Sequence, residues 1–403
     1  MKKQYIVSER AHLMCPDMQF AICVKVKAAF DESKVRGTLL KLQKAHPFLH
    51  SVIAKEGDTG RLYYDVRENM TLKYSVKGDY SRLFEDYSEL KSGGWNVFKE
   101  GLLKVMVYPE QSEFEMVFIA HHLLCDGRGL LVLACEFCDC YVEGKEPAYA
   151  EEHLLQCQDD LPDKSELPFI SRVVINSANK NWRKEKQSVP YEKYLEFEKD
   201  YLKNNPVSLQ VTTKEPSEVE NIAKQCKENN VTVNDYLIAR MMLQEKTSKV
   251  IIAADIRDRI FCYNKGSLGN YATAFSVISK KKSTDIMDKA RDVSRQVKAI
   301  MDNNSHLMLV LSCYFSMVPE LIDAAVISTI GSYNSKAGIF VGDRMFGYEK
   351  REGCSITNLG RIENPNIIEA LFIPPFSPAN RKVQGVLTVN GVMKVCTVSP
   401  KTI

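Results

Sequence analysis

Two stretches in which strand-like and helix-like periodicity alternate, separated by a proline-punctuated interval, restrict this chain to a layered architecture of sheets and helices. Residues 19–27 (QFAICVKVK) alternate with the period of a strand, and Asp31 then caps a segment in which Val35, Leu39 and Leu42 share one helical face. His46-Pro47 ends that helix. Strand-like segments follow at 49–54, 61–66, 71–76, 102–108 and 114–120, and an apolar helix-like run covers 129–142. A second such region opens near Val207. It holds a helix at 217–228 and another begun by Thr232, with Asp235 at capping-box spacing and Val233, Leu237 and Met241 on its buried face. Strands are expected at 250–255 and 271–278. Ile286, Ala290, Val293, Val297 and Ile300 mark an amphipathic helix, and short strands close the chain at 355–358, 370–373, 383–389 and 393–398. The implied class is α/β, built as an α+β sandwich. No fixed-period repeat is present, which sets solenoids and propellers aside.

Between the two regions, Pro147, Pro162 and Pro168 punctuate an acidic, polar stretch that continues neither period. We expect an N-terminal subdomain over 1–165, a crossover segment over 166–205 and a C-terminal subdomain over 206–403. The crossover mixes charge with Trp182, Tyr191, Tyr194, Phe197 and Tyr201, and reads as an exposed helix or a long loop. Length supports the division, because 403 residues with 45% hydrophobic content exceed what one compact core holds.

Composition removes several classes of function. Lys and Arg number 54 against 51 Asp and Glu, a balance unlike a dedicated nucleic-acid binder. The most apolar stretch, 306–330, contains Pro319, Glu320 and Asp323, so it reads as buried helices and a turn rather than a membrane span. The basic start Met1-Lys2-Lys3 is followed by apolar residues interrupted by Ser8, Glu9, Arg10, Asp17 and Gln19, which form no signal-peptide core. Twelve cysteines without a secretion signal suggest reduced thiols and a cytoplasmic location.

The chemistry-bearing segment is an apolar strand that runs into His121-His122-Leu-Leu-Cys-Asp126-Gly127. Successive strand side chains point to opposite faces, so only one of the two histidines can enter a given channel, and His122 would share its face with Phe118 and Ala120. Asp126-Gly127 fits a turn into a helix, with Gly127 permitting a backbone conformation that a side chain would hinder. Residue by residue, a plain structural account also holds: a strand, two partly buried histidines and an N-cap.

The pattern His-His-x-x-x-Asp-Gly at the end of an apolar strand resembles the signature of the CoA-dependent acyltransferase superfamily. That superfamily includes chloramphenicol acetyltransferase, alcohol acetyltransferases, polyketide-associated and plant acyltransferases, and peptide-synthetase condensation domains. Other segments resemble it in the expected order: the helix leading into His46-Pro47-Phe-Leu, Arg257 followed by Leu268-Gly269-Asn270, and Ser355-Ile-Thr357-Asn358-Leu-Gly360.

The resemblance implies two chloramphenicol acetyltransferase-like subdomains in a V around a central channel, with a donor thioester and an acceptor entering from opposite ends. It implies His122 as general base, accepting a proton from an alcohol and returning it to the leaving thiolate. It makes Asp126 a structural residue paired with an arginine, Arg257 first and Arg259 next, in the supporting company of His121 and Gly127. The N-cap role of Asp126 stays open beside this. Oxyanion or substrate-binding candidates are Asn358, Thr357 and Ser355, whose plain alternative is backbone bonding at a strand end.

An acyl-CoA or an acyl carrier thioester would serve as co-substrate, with no bound cofactor or metal. The partners expected are a small-molecule acceptor and an acyl-CoA or an acyl or peptidyl carrier protein, and the chain is expected to be a monomer. The motifs of peptide-synthetase condensation domains beyond the histidine segment are largely missing, as is the plant-type "D-F-G-W-G". These departures favour a stand-alone acyltransferase acting on an alcohol. The alternatives are condensation-type amide or ester formation on carrier-bound substrates, and a non-catalytic binding relative. Cys135-x-x-Cys138 lacks a second ligand pair of finger-like spacing, and Cys138 falls with Ala134 and Tyr141 on a core-facing helix side. The basic clusters Lys180, Arg183, Lys184, Lys186 and Lys280–Lys282 read first as solvated faces, with contact to CoA phosphates or an acidic carrier as the alternative. No nucleotide-binding glycine loop is present.

Overall fold

The computed structural model describes residues 3–57 and 59–401, so Met1 and Lys2 of the basic start lie outside the described residues. Its largest feature around the motif is a five-stranded sheet. In spatial order this contains Ile367–Ile373, Gln19–Val26, Phe114–His121, Leu103–Pro109 and Lys73–Val76. Phe114–His121 is central and every residue in it is buried, which explains why it reads as a continuous apolar run. It pairs antiparallel with Gln19–Val26, Gln19 facing His121 across the ladder, and with Leu103–Pro109 on its other side.

The helix Gly127–Glu143 packs over this sheet through Leu130, Leu133, Ala134, Phe137, Cys138 and Tyr141, and Gly144 closes it in the left-handed region at φ 75°. Cys138 thus sits in the core, as the helix phase predicts.

A six-stranded sheet forms in the second half, in the order Val207–Lys214, Val392–Pro400, Asn380–Val389, Gly353–Ile362, Lys249–Asp255 and Ala272–Ile278. Its apolar cluster is filled by Val219, Ile222 and Cys226, by Leu237, Ile238 and Met241, and by Ala290 and Val293 from three amphipathic helices. The helix Val233–Gln244 opens with the expected capping box, in which Thr232 Oγ1 accepts from Asp235 N–H and Asp235 Oδ2 accepts from Thr232 N–H.

The two halves exchange material. The strand Ile367–Ile373, from late in the chain, pairs antiparallel with Gln19–Val26 in the first sheet. Leu321, Ile322 and Val326 of the helix Pro319–Thr329 belong to the first apolar cluster. Residues 306–330 are short helices with a break: Leu309–Ser316 and Pro319–Thr329 meet at 105°. Among the described residues no single helix is long and apolar enough to cross a membrane. The crossover, read as one exposed helix or a loop, is two helices, Phe169–Glu185 and Tyr194–Asn204, held by Trp182, Tyr194 and Tyr201 buried on their inner sides.

Candidate active site

The end of the central strand sends its two histidines in different directions. His121 is fully buried, with Trp95 edge-to-face at 5.8 Å, and its Nδ1 accepts from Leu123 N–H at 3.2 Å. Burial, then the charges of His122 and Lys104, push its pKa down to about 3, so it is neutral and faces packed protein. His122 is partly exposed and lines a cavity of about 130 Å³ together with Phe20, Thr357, Asn358, Leu359 and Phe372. Its backbone N–H donates to Met18 C=O at 3.0 Å, which holds the loop to the neighbouring strand's entry.

Asn270 grips His122 from the second half of the chain. Asn270 Oδ1 lies 2.9 Å from His122 Nδ1, and Asn270 Nδ2 donates to His122 C=O at 2.8 Å. With the amide NH₂ committed to the carbonyl, Oδ1 is the acceptor, so Nδ1 carries the ring hydrogen and Nε2 is left as the basic nitrogen. Burial lowers the His122 pKa below the usual imidazole value, while its own backbone carbonyl, Asp126 and Asn270 oppose that shift. The neutral base form therefore dominates at neutral pH.

Asp126 makes both of the contacts that the sequence left open. As N-cap of the helix Gly127–Glu143, its Oδ1 accepts from Gly129 N–H at 2.9 Å, and the same oxygen accepts from Arg257 Nη2 at 2.9 Å. Oδ2 accepts from Tyr271 N–H at 2.8 Å, and Asp126 N–H donates to Gly269 C=O at 3.1 Å. Both carboxylate oxygens are thus committed to protein donors. Arg257 also pairs with Asp255 at 3.0 Å and lies over the rings of Tyr263 and Tyr271. Arg259 is not at Asp126; its Nη1 reaches Asn304 Oδ1.

Gly127 requires a different explanation from the one its position suggested. Its φ is not in the left-handed region; instead a Cβ there would stand 2.9 Å from Leu359 Cδ2 and 3.3 Å from Phe372 Cζ. The glycine gives room for the second half of the chain to approach the loop. Thr357 and Asn358 both line the cavity, and Ser355, two residues earlier on the same strand, does not. Asn358 Oδ1 accepts from Gly360 N–H at 2.9 Å, while its Nδ2 has only a long contact, 3.5 Å, to Asn234 Oδ1. That leaves the amide N–H groups of Asn358 the less committed donors. Cys125 is buried and its thiol is pushed well above the ordinary range by burial and by Asp126, which removes it as a nucleophile.

Among the described residues no three His, Cys, Asp or Glu side chains stand together as a metal site. A larger cavity, about 570 Å³, lies elsewhere, lined by Trp95, Phe98, Tyr191 and Tyr194; His122 and Asp126 do not line it, so the chemistry is assigned to the smaller one. Sequence reasoning passed over two residues of the site. Asn270 stood in a recognised motif but had no assigned role, and His12, which lies against the His122 ring, is a lone histidine in a four-residue helix that no pattern marks.

Comparison with known proteins places the family and the fold. The model of the Condensation domain family matches residues 18–256, more than half of the chain. No curated protein sequence matches. Among solved structures, the trichothecene 15-O-acetyltransferase of Fusarium sporotrichioides superposes with TM-score 0.62 at 9% identity, over 99% of this chain and 90% of that one. Polyketide synthase associated protein 5 from Mycobacterium tuberculosis gives 0.61 at 12% identity, over 100% and 93%. The first condensation domain of the CDA synthetase gives 0.61 at 9% identity, over 98% and 90%. At such identities the likeness shows the fold, a mixed α/β chain of the condensation and chloramphenicol acetyltransferase-like class, with which a two-subdomain arrangement agrees. The family match and the ordered motifs lead to one placement: the chain belongs to the condensation-domain family, whose chemistry is acyl transfer or condensation.

Proposed function

We propose that the protein transfers an acyl group from a CoA or carrier-protein thioester to an alcohol, with His122 Nε2 as general base. The observation that carries this reading is the bond His122 Nδ1–H donates to Asn270 Oδ1, which leaves Nε2 as the unprotonated nitrogen of a ring that lines the cavity. In the forward step Nε2 takes the hydroxyl proton as the acceptor oxygen attacks the thioester carbonyl. The carbonyl π pair moves to oxygen, and the oxyanion is met by a donor from Asn358 or Thr357. Collapse restores the carbonyl, breaks the C–S bond and sends the proton from Nε2 to the departing thiolate. No acyl-enzyme forms. Asp126 and Arg257 hold the loop and do not touch the reacting atoms.

An oxygen acceptor is favoured by the absent condensation-domain motifs and by the 15-O-acetyltransferase among the structural neighbours. The family match keeps amide or ester formation on carrier-bound substrates as the second reading. A panel of acyl-CoA and carrier thioesters against alcohols and amines, read by free-thiol release with product mass, separates the two. Ester product from alcohols supports the first; amide product from carrier-bound partners alone would replace it with the second.

A further inference from the structure

The His122 ring is covered by another imidazole. His12, on the short helix Arg10–Leu13, lies flat against it, with ring centroids 4.0 Å apart and planes only 16° from parallel. Phe20 leans on the same ring at 5.1 Å and 55°. The helix that carries His12 is fastened in place. Arg10 Nη1 pairs with Asp323 Oδ2 at 2.6 Å, both side chains buried, and donates to Tyr191 OH at 2.9 Å, while that hydroxyl donates to Asp323 Oδ2 at 2.7 Å. His12 Nδ1 is buried without a hydrogen-bond partner among the described residues, so hydrogen bonding at that atom is not what places the ring.

We propose that His12 is a positioning residue for His122: its flat contact sets the plane of the imidazole and closes one ring face, so that a substrate hydroxyl meets Nε2 only in the ring plane. This rests on the reading of His122 as the base of acyl transfer. The second torsion of a histidine side chain is broad, and one hydrogen bond at Nδ1 restrains a point on the ring rather than its tilt. A stacked ring on a fastened helix supplies the missing restraint. General-base transfer needs the lone pair of Nε2 aimed along the hydroxyl O–H, so a tilted ring loses rate even when its protonation is unchanged. Two rings at this distance also cannot both take a proton cheaply. His12 is held well below the ordinary imidazole range by burial, then by His122 and His121, and stays neutral while His122 cycles.

The test uses the full chain with His12→Phe, His12→Leu and His12→Ala, each checked for fold by circular dichroism and thermal melting. Histidine ring ¹⁵N spectra, with the His122 signals assigned by their loss in His122→Ala, report tautomer and ring order without turnover. kcat and KM are measured with the donor and acceptor pair found in the panel. His12→Phe keeps a flat ring and should hold kcat within about threefold, whereas His12→Leu and His12→Ala should lower kcat on the order of ten- to a hundredfold with KM little changed. In those two variants the His122 ring signals should broaden as ring order is lost, while the Nδ1–H tautomer set by Asn270 remains.

Wild-type kcat and His122 spectra in the Leu and Ala variants would overturn the proposal. So would a Phe variant as impaired as Ala, since that would make the His12 nitrogens rather than its plane responsible. Because the spectra need no substrate, they judge His12 even if no acyl transfer is found, an outcome that counts against the reading of His122 alone.

Discussion

The bond between Asp126 and Arg257 joins the loop after the central strand to the second half of the chain, and its strength can be worked from the geometry. The two charges sit 2.9 Å apart with side chains 7% and 9% exposed. At an effective dielectric of about 20, attraction at that separation is worth about 6 kcal/mol before desolvation, which takes back several kcal/mol. Asp126 keeps two backbone donors when Arg257 is removed, and Arg257 keeps Asp255 when Asp126 is removed, so neither single change strands a bare charge. We therefore expect Arg257→Met and Asp126→Asn each to cost about 2–4 kcal/mol. Asp126→Asn carries its own mechanism: an amide in this place turns a donor toward either Tyr271 N–H or the Arg257 guanidinium. The double variant should cost about as much as the worse single, giving a coupling energy of about 2–4 kcal/mol in a urea-unfolding double-mutant cycle. Additive costs, with coupling below about 0.5 kcal/mol, would refute the claim that this pair acts as a unit.

Asn270→Ala should lower kcat on the order of ten- to a hundredfold at nearly constant KM, because loss of an orienting partner typically costs that much; an unchanged kcat would remove Asn270 from the site. Gly127→Ala should destabilise by about 1–3 kcal/mol, since the new Cβ would stand 2.9 Å from Leu359 Cδ2, and an unshifted urea midpoint would contradict the close-approach explanation. Glu152 is fully buried, and burial raises its pKa to about 8 against the opposing pull of the Glu152, Phe48 and Leu268 backbone groups. A folded-state pKa above the unfolded value means stability that is complete below about pH 4.5 and is lost as pH rises through about 8, at up to about 1.4 kcal/mol per pH unit. Glu9, raised by burial to about 7, acts in the same direction. Glu152→Gln should flatten that decline in urea midpoints measured from pH 5 to 9, and a decline equal to wild type would exclude Glu152 as its source.

The local elements and the motif loop were legible because their causes are local. The apolar run into His121, the Thr232–Asp235 capping box and the N-cap at Asp126 each depend on a few neighbouring residues. The Asp126–Arg257 partnership came from family resemblance, since nothing in spacing alone joins residues so far apart in the chain. What stayed hidden depends on which surfaces meet. The strand Ile367–Ile373 has the same apolar pattern whichever sheet it joins, so its pairing with Gln19–Val26 could not be read. Gly127 looked like a backbone requirement and is a packing requirement, because Leu359 and Phe372 arrive from the other half. Ser355 shares a strand with Thr357 and Asn358 yet misses the cavity. His12 carries no pattern because its stacking partner comes from a distant turn, the one after the strand Phe114–His121.

In the proposed mechanism the bare Nε2 of His122 takes the acceptor's proton during acyl transfer. The most direct measurement is the rate of thiol release and ester formation by wild-type protein and by His122→Ala, with the donor and acceptor pair that gives the highest wild-type rate. The expected result is a loss of at least about a hundredfold in His122→Ala with the fold retained, and a wild-type rate whose acid limb lies below the usual imidazole pKa. Transfer by folded His122→Ala at a rate comparable to wild type would contradict it.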